Sequence, residues 1–339
     1  MEYIRITKEN IDLEHICCAM SGKQSLAKKE WMKNRFEDGL VFYRSKERGK
    51  CFIEYIPAEN AWIPIEAGGY IYINCLWIAG AMKGHGYSDD LISECIRDAK
   101  ETEKKGICIL SSEGRKKEFL SDSKYLEHKG FAVADTSEPG ITLMYLPFDK
   151  NAEPPRFKEC ARHPKTDENG FVLYYTDQCP FTYYWVPKVQ EAAKENNIPL
   201  KVIHITDKSS ARNAPSPVTT YALFYNGKFI THAIQSDKKF LKLAGETGEI
   251  KSFPVFRKPP WNIKQNYPSV RRIMGKRAHT TLSSVIESIA VNFDLLPASL
   301  FLFFYIRYCE FDCFIGTDCL AVAAAYTVHA VGIPPDGNV

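Results

Sequence analysis

Two short stretches carry residue types whose spacing can do chemistry. The first is Lys83-Gly84-His85-Gly86, which follows the strand-like run "YIYINCLWIAG" and opens the helical pattern "YSDDLISECIRDAKE". At a helix start, unpaired backbone N–H groups and the macrodipole favour an anion, and a missing side chain lets a phosphate approach the backbone. The run lacks the third glycine of a dinucleotide fingerprint and the Gly-Lys-Ser/Thr ending of a Walker loop. The second stretch is Cys179-Pro180-Phe181-Thr182, between "FVLYYT" and a helical pattern. A thiol at a helix N-terminus is expected to have its thiolate stabilised, and Pro180 suits the first helical turn. Thr182 stands where a Cys-x-x-Cys motif has its second cysteine, which excludes a two-thiol cycle within the motif. Cys160 is then the candidate partner.

These residues need elements to position them. Residues 1–148 alternate strand and helix signals and end in the apolar strand "GITLMYLPF". The helix after the glycines carries Leu91, Ile92, Cys95, Ile96 and Ala99 on one stripe. Residues 149–170 are polar and proline-bearing and read as a linker. Residues 171–247 read as strand, helix, strand, strand, Asn226-Gly227 turn, strand, helix. Asn-Gly between apolar runs is a strong hairpin signal. Residues 248–339 form an unassigned, mostly helical extension. Its Cys309, Cys313 and Cys319 lack the second ligand pair of a zinc site, so no metal is expected.

The whole chain has 339 residues, 44 basic and 41 acidic, with 45% hydrophobic residues. That balance fits a globular protein and gives no electrostatic case for a nucleic-acid partner. The apolar run Leu295–Ile306 is too short to span a bilayer, so no membrane span is expected. No secretory leader is visible, and the eleven cysteines read as reduced thiols in a cytoplasmic protein.

The order strand, glycine loop, helix, strand, then a helix ending in Gly130-Phe131 and a final strand, resembles the GNAT N-acetyltransferase fold over residues 1–148. Behind it, the Cys-Pro-x-Thr corner in a βαβ-ββα order resembles a thioredoxin-like domain of YoaP type. Together they resemble YoaP-type GNAT acetyltransferases. The fold class is α/β (α+β). The resemblance implies acetyl-CoA as co-substrate, bound by Trp77, Ile78, Lys83, Gly84, His85, Gly86, Tyr87 and Ser88. The acceptor would be a small-molecule or peptide amine, and a homodimer is compatible with the family. At the family's usual Arg or Gln position stands Ala81, with Lys83 the substitute charge.

Direct attack of an amine on a thioester needs a base and an acid. Glu54, in "CFIEYIP", is the candidate base if it points into a cleft among apolar neighbours, where burial would raise its pKa. The family's acid position is occupied by Leu126, leaving Tyr125, one place off, as the candidate acid. Tyr55, Trp62, Tyr70 and Tyr72 are candidates for an acceptor pocket, or core. A cis-proline facing Cys179 is expected at Pro217. The rival function is a thiol-redox or thiol-sensing protein acting through Cys179, with CoA as a regulator.

Overall fold

The computed structural model describes residues 1–16, 18, 22–112 and 120–248, all within the first of the chain's two compact units, Met1–Phe253. The tail with Cys309, Cys313 and Cys319 lies outside the described residues.

An eight-stranded sheet forms the N-terminal part. Its strands are β1 (Tyr3–Ile6), β2 (Val41–Ser45), β3 (Lys50–Pro57), β5 (Tyr70–Ala79), β6 (Gly106–Ser112), β9 (Ile141–Pro147) and β8 (Ala132–Ser137), in that spatial order, with β7 (Ser121–Asp122) paired to β6. All neighbours are antiparallel except β5 with β6 and β6 with β7. Helix α1 (Lys23–Lys33) precedes β2, and α2 (Tyr87–Glu101) makes the crossover between the parallel β5 and β6. Leu91, Ile92, Cys95 and Ala99 of α2 are buried against Ile53, Tyr55, Ile71 and Ile107, so the stripe read from the sequence is the face that meets the sheet.

Helix α3 (Ser123–His128) has a defined start. Asp122 accepts a hydrogen bond from the Tyr125 backbone N–H at 3.0 Å, so it caps the helix there, and Ser121 and Asp122 pair with β6. The helix closes on Gly130, which takes φ of 88° while the Phe131 N–H returns to the Leu126 carbonyl.

The polar connector is laid along the N-terminal part. Its β10 (Arg156–Phe157) pairs with β4 (Ile65–Glu66), Phe157 is buried, and α4 (Glu159–Arg162) packs beside β8.

A second sheet follows, ordered β12 (Leu200–His204), β11 (Phe171–Tyr175), β13 (Tyr221–Tyr225), β14 (Lys228–Thr231). β11 and β12 are parallel, joined through α5 (Pro180–Glu195), and the other pairs are antiparallel. Short α6 (Lys208–Ala211) precedes β13, and α7 (Asp237–Glu246) closes the unit. Asn226 and Gly227 both have positive φ, 46° and 77°, as a two-residue turn matched to strand twist requires. The βαβ-ββα order is the one expected from the sequence.

Segment 58–66 fastens this second sheet to the first. Arg212 donates to the carbonyls of Ala58 and Ile65, Thr219 Oγ1 donates to the Trp62 carbonyl at 2.5 Å, and Lys208 reaches Asn60. The only cis peptide bond among the described residues is Glu138–Pro139. The expected cis bond before Pro217 is therefore corrected to trans. Its neighbour Thr219 is spent on Trp62.

Candidate active site

The parallel pair β5–β6 opens part-way along. Its ladder runs from Tyr70↔Gly106 to Ile73↔Ile109 and stops, while β6 continues to Ser112 alongside β9. On its other edge β5 stays paired with β3 as far as Lys50↔Ala79. From Asn74 onward β5 has no ladder partner on the β6 side among the described residues, and its side chains become partly exposed. The stretch of β5 from Asn74 to Ala79 thus lines one side of a wedge that opens between it and β6.

The turn at the end of β5 leads to α2 through Gly84 and Gly86, with φ of 82° and 76°. A Cβ at either position would meet no atom within 4 Å, so packing does not select these glycines. Backbone conformation does, and the space above them is open. No side chain caps α2. Lys83 and His85 are exposed, and His85 stacks on Tyr87 with ring centroids 5.3 Å apart. Asp89 and Asp90 in the first turn would oppose an anion. Asp89, however, is paired with Lys129, and Asp90 accepts from the Tyr3 hydroxyl. Ser88 shares that turn.

Tyr125 stands at the same end of the sheet, since β7, just before α3, pairs with Ser111 and Ser112 at the end of β6. Its hydroxyl is buried and has no hydrogen-bond partner among the described residues, while Leu126 is fully buried core.

Glu54 requires a correction. It does not face an apolar cleft. Lys28 Nζ donates to Glu54 Oε2 at 2.5 Å, and Asn74 Nδ2 donates to Oε1 at 2.9 Å. Glu54 is 1% exposed and Lys28 2% exposed. The register of β3 and β5 shifts between Glu54 and Tyr55, so Asn74 is an extra residue at a bulge, and its side chain is bound to the carboxylate beside it. Both carboxylate oxygens are already engaged, so Glu54 is a buried anchor of the bulge. Lys28 was legible in principle: Ser25, Lys28, Trp31 and Met32, the buried residues of α1, recur at three- and four-residue spacing.

A YoaP-like family model matches residues 199–242, within the second sheet's unit. The chain is 42% identical over 248 residues to the Bacillus subtilis (strain 168) protein named uncharacterized N-acetyltransferase YoaP, covering 72% of this chain and 98% of that one. The chain belongs to the YoaP-type GNAT N-acetyltransferases. It is therefore an acyltransferase. Solved structures to which the chain is similar include yncA, a putative acetyltransferase from Salmonella typhimurium with acetyl-CoA, 17% identical over 45% of this chain and 96% of that one at a TM-score of 0.33. Ribosomal-protein-alanine N-acetyltransferase from Brucella melitensis is 14% identical over 44% and 100%, at 0.32. Scores this low carry no residue's role across. Among the described residues of this YoaP-type chain, no helix is long and apolar enough to cross a membrane.

The YoaP-like unit brings Cys179 to the same region as the Glu54–Lys28 pair. The Phe181 ring packs edge-on against Trp77, centroids 6.4 Å apart. Cys179 caps the start of α5 as expected, and Pro180 occupies the first turn. The expected thiolate stabilisation is overturned. Burial pushes the thiol up to about 11, outweighing the Phe181 backbone N–H and then the Lys28 charge, which act the other way. The reason is tertiary: the N-terminal part packs beside the helix start. Cys160 lies exposed on α4 beside β8, and it and Cys179 are both free thiols. Alkylation of Cys179 followed by mass mapping should show a pH midpoint near about 11, well above the free-thiol value of about 8.5. A midpoint below 8 would mean that the helix start governs the thiol after all.

Of the four aromatics noted in the sequence, Tyr55, Tyr70 and Tyr72 are buried in the two cores of the large sheet. Trp62 alone lines a cavity, between α1 and the YoaP-like unit.

Proposed function

We propose that this protein transfers the acetyl group of acetyl-CoA to an amine by direct attack. The observation that carries this reading is the parting of β5 from β6 after Ile73 and Ile109, beside the uncapped glycine start of α2. A pantetheine arm can enter this wedge beside Trp77 and Ile78. The diphosphate can sit over Lys83, Gly84, His85, Gly86, Tyr87 and Ser88, where backbone N–H groups and the open space above the glycines favour it. The thioester then lies toward the bulge at Asn74.

In the reaction the amine nitrogen attacks the thioester carbonyl carbon, and the C–S bond breaks. The amine loses a proton, and the CoA sulfur gains one to leave as a thiol. Tyr125 is the proposed proton donor, because its buried hydroxyl has no partner among the described residues to give up first. We assign Glu54 the holding of Asn74 and Lys28 at the bulge. The YoaP-like unit has the strand order of a thioredoxin-like domain, but a protonated Cys179 does not favour the thiol-redox alternative.

The test is calorimetric titration with acetyl-CoA, followed by an amine screen for released thiol. Saturable binding with thiol release that depends on an amine is the expected result. Absence of acetyl-CoA binding would remove the reading. Tyr125→Phe should lower kcat by about 100-fold, within the usual range for a lost acid. Acetyl-CoA affinity should be kept, and the unfolding temperature should not fall, because the hydroxyl removed has no partner among the described residues. A full rate in this variant would show that the proton comes from elsewhere.

A further inference from the structure

We infer that the cavity between α1 and the YoaP-like unit is the acceptor pocket, and that it takes a primary amine attached to an apolar body, bound as the ammonium and giving up one proton to solvent before its nitrogen attacks. This rests on the acetyl-transfer reading for its role, although the cavity and its chemistry stand independently. It holds about 740 Å³, within the range of small-molecule sites. One wall is a single face of α1: Ala27, Glu30, Trp31 and Asn34, at helical spacing. The opposite wall comes from the YoaP-like unit, with Tyr175, Asp177, Thr182, Tyr183 and His204. Trp62, from the segment that fastens the two parts, joins them, its ring edge-on to Trp31 at 6.5 Å. Neither part of the chain makes this cavity alone.

The chemistry of the lining points to a cation. Tyr175 and Tyr183 offer aromatic surface, while the rings of Trp31 and Trp62 already carry Lys28 and the lining residue Arg35. The cations already present are committed: Lys28 lies 4.2 Å over Trp31 but is paired with Glu54, and Arg35 lies 4.7 Å over Trp62 but is paired with Asp38. Two carboxylates remain on the lining. Glu30 is exposed and makes no ion pair among the described residues, and Asp177 lies 2.9 Å from His204 Nε2, the imidazole itself stacked on Tyr175. The indole N–H groups of Trp31 and Trp62 are buried without a partner among the described residues, and both residues are only 8% exposed.

The cavity also neighbours the reaction centre. Trp31 stands one turn from Lys28 on α1, and Lys28 holds Glu54, which holds Asn74 at the mouth of the wedge. Thr182 lines the cavity and donates to the Cys179 carbonyl. The YoaP-like unit thus acts as half of a substrate site rather than as a separate redox module.

Tryptophan fluorescence of the intact chain, without acetyl-CoA, tests this, because Trp31 and Trp62 lie in the wall. The probes are phenethylamine and tyramine, with 2-phenylethanol as the uncharged control. The amines should quench saturably and the alcohol at least tenfold more weakly. Asp177→Asn together with Glu30→Gln should weaken amine binding at least tenfold. Ala27→Trp, on the helix face lining the cavity, should abolish it while acetyl-CoA titration is unchanged. If acetyl-CoA binds but neither amine does, or if both variants bind amines as the wild type does, the pocket assignment is overturned and the acetyl-transfer reading survives. If the amines bind as described and acetyl-CoA does not, the pocket stands and the transfer reading fails.

Discussion

Lys28→Met should destabilise the folded protein by about 3–5 kcal/mol, the usual consequence of leaving one member of a buried ion pair without its partner. Lys28 and Glu54 are both almost wholly buried, so solvent cannot take over from the missing ammonium group. Asn74 satisfies only one carboxylate oxygen. Typical mesophilic stabilities are about 5–15 kcal/mol, so the unfolding temperature should drop by roughly 10 °C. The companion variant Lys28→Met with Glu54→Gln removes the orphaned charge and keeps an oxygen to accept from Asn74. It should recover most of the loss. Urea denaturation of the two variants and of Glu54→Gln completes the cycle. A Lys28→Met cost below about 1 kcal/mol, the value of a solvated pair, would show that water reaches Glu54 and that the bulge is not held in this way. The wedge depends on that bulge, so the variant should also lose acetyl transfer faster than it loses folded protein.

What the sequence disclosed and what it hid follow one physical division. The stripe on α2, the Asn226-Gly227 hairpin and the glycines at 84 and 86 are decided within a few residues, by periodicity and by φ. Each is where the pattern puts it. Glu54 and Cys179 were misjudged because their surroundings come from distant chain. Glu54 meets a lysine 26 residues earlier and a bulge residue 20 residues later. The helix-start argument for Cys179 is sound locally, but the N-terminal part packs beside the helix start, the thiol is half-buried, and its desolvation prevails. The connector 149–170 reads as polar and proline-bearing, yet Phe157 is buried and β10 pairs back to β4. Two strand residues are too few to leave a pattern. The cavity was the least legible feature, since its walls are more than 140 positions apart in the chain. Trp62 was the one hint, an aromatic that could be either core or pocket.

Gly86→Val should lower acetyl-CoA affinity at least 100-fold, or about 2.7 kcal/mol. Two effects must be separated. A β-branched residue at φ of 76° is strained, by about 1–2 kcal/mol, and could shift the start of α2. The added side chain would also occupy the space above the backbone, which no protein atom fills within 4 Å. Gly86→Asn distinguishes them, because asparagine tolerates the left-handed region and still places a side chain over the N–H groups. If close approach of a diphosphate is what Gly86 permits, Gly86→Asn should keep its unfolding temperature within a degree or two and still lose acetyl-CoA affinity at least tenfold. If it binds as the wild type does while Gly86→Val does not, the glycine serves the turn alone. If both variants bind normally, the diphosphate sits elsewhere, and the uncapped start of α2 is not part of the site. Thermal unfolding and calorimetric titration on the same samples separate the three outcomes, because strain lowers the melting point of the free protein whereas blocked approach lowers only its gain on adding acetyl-CoA.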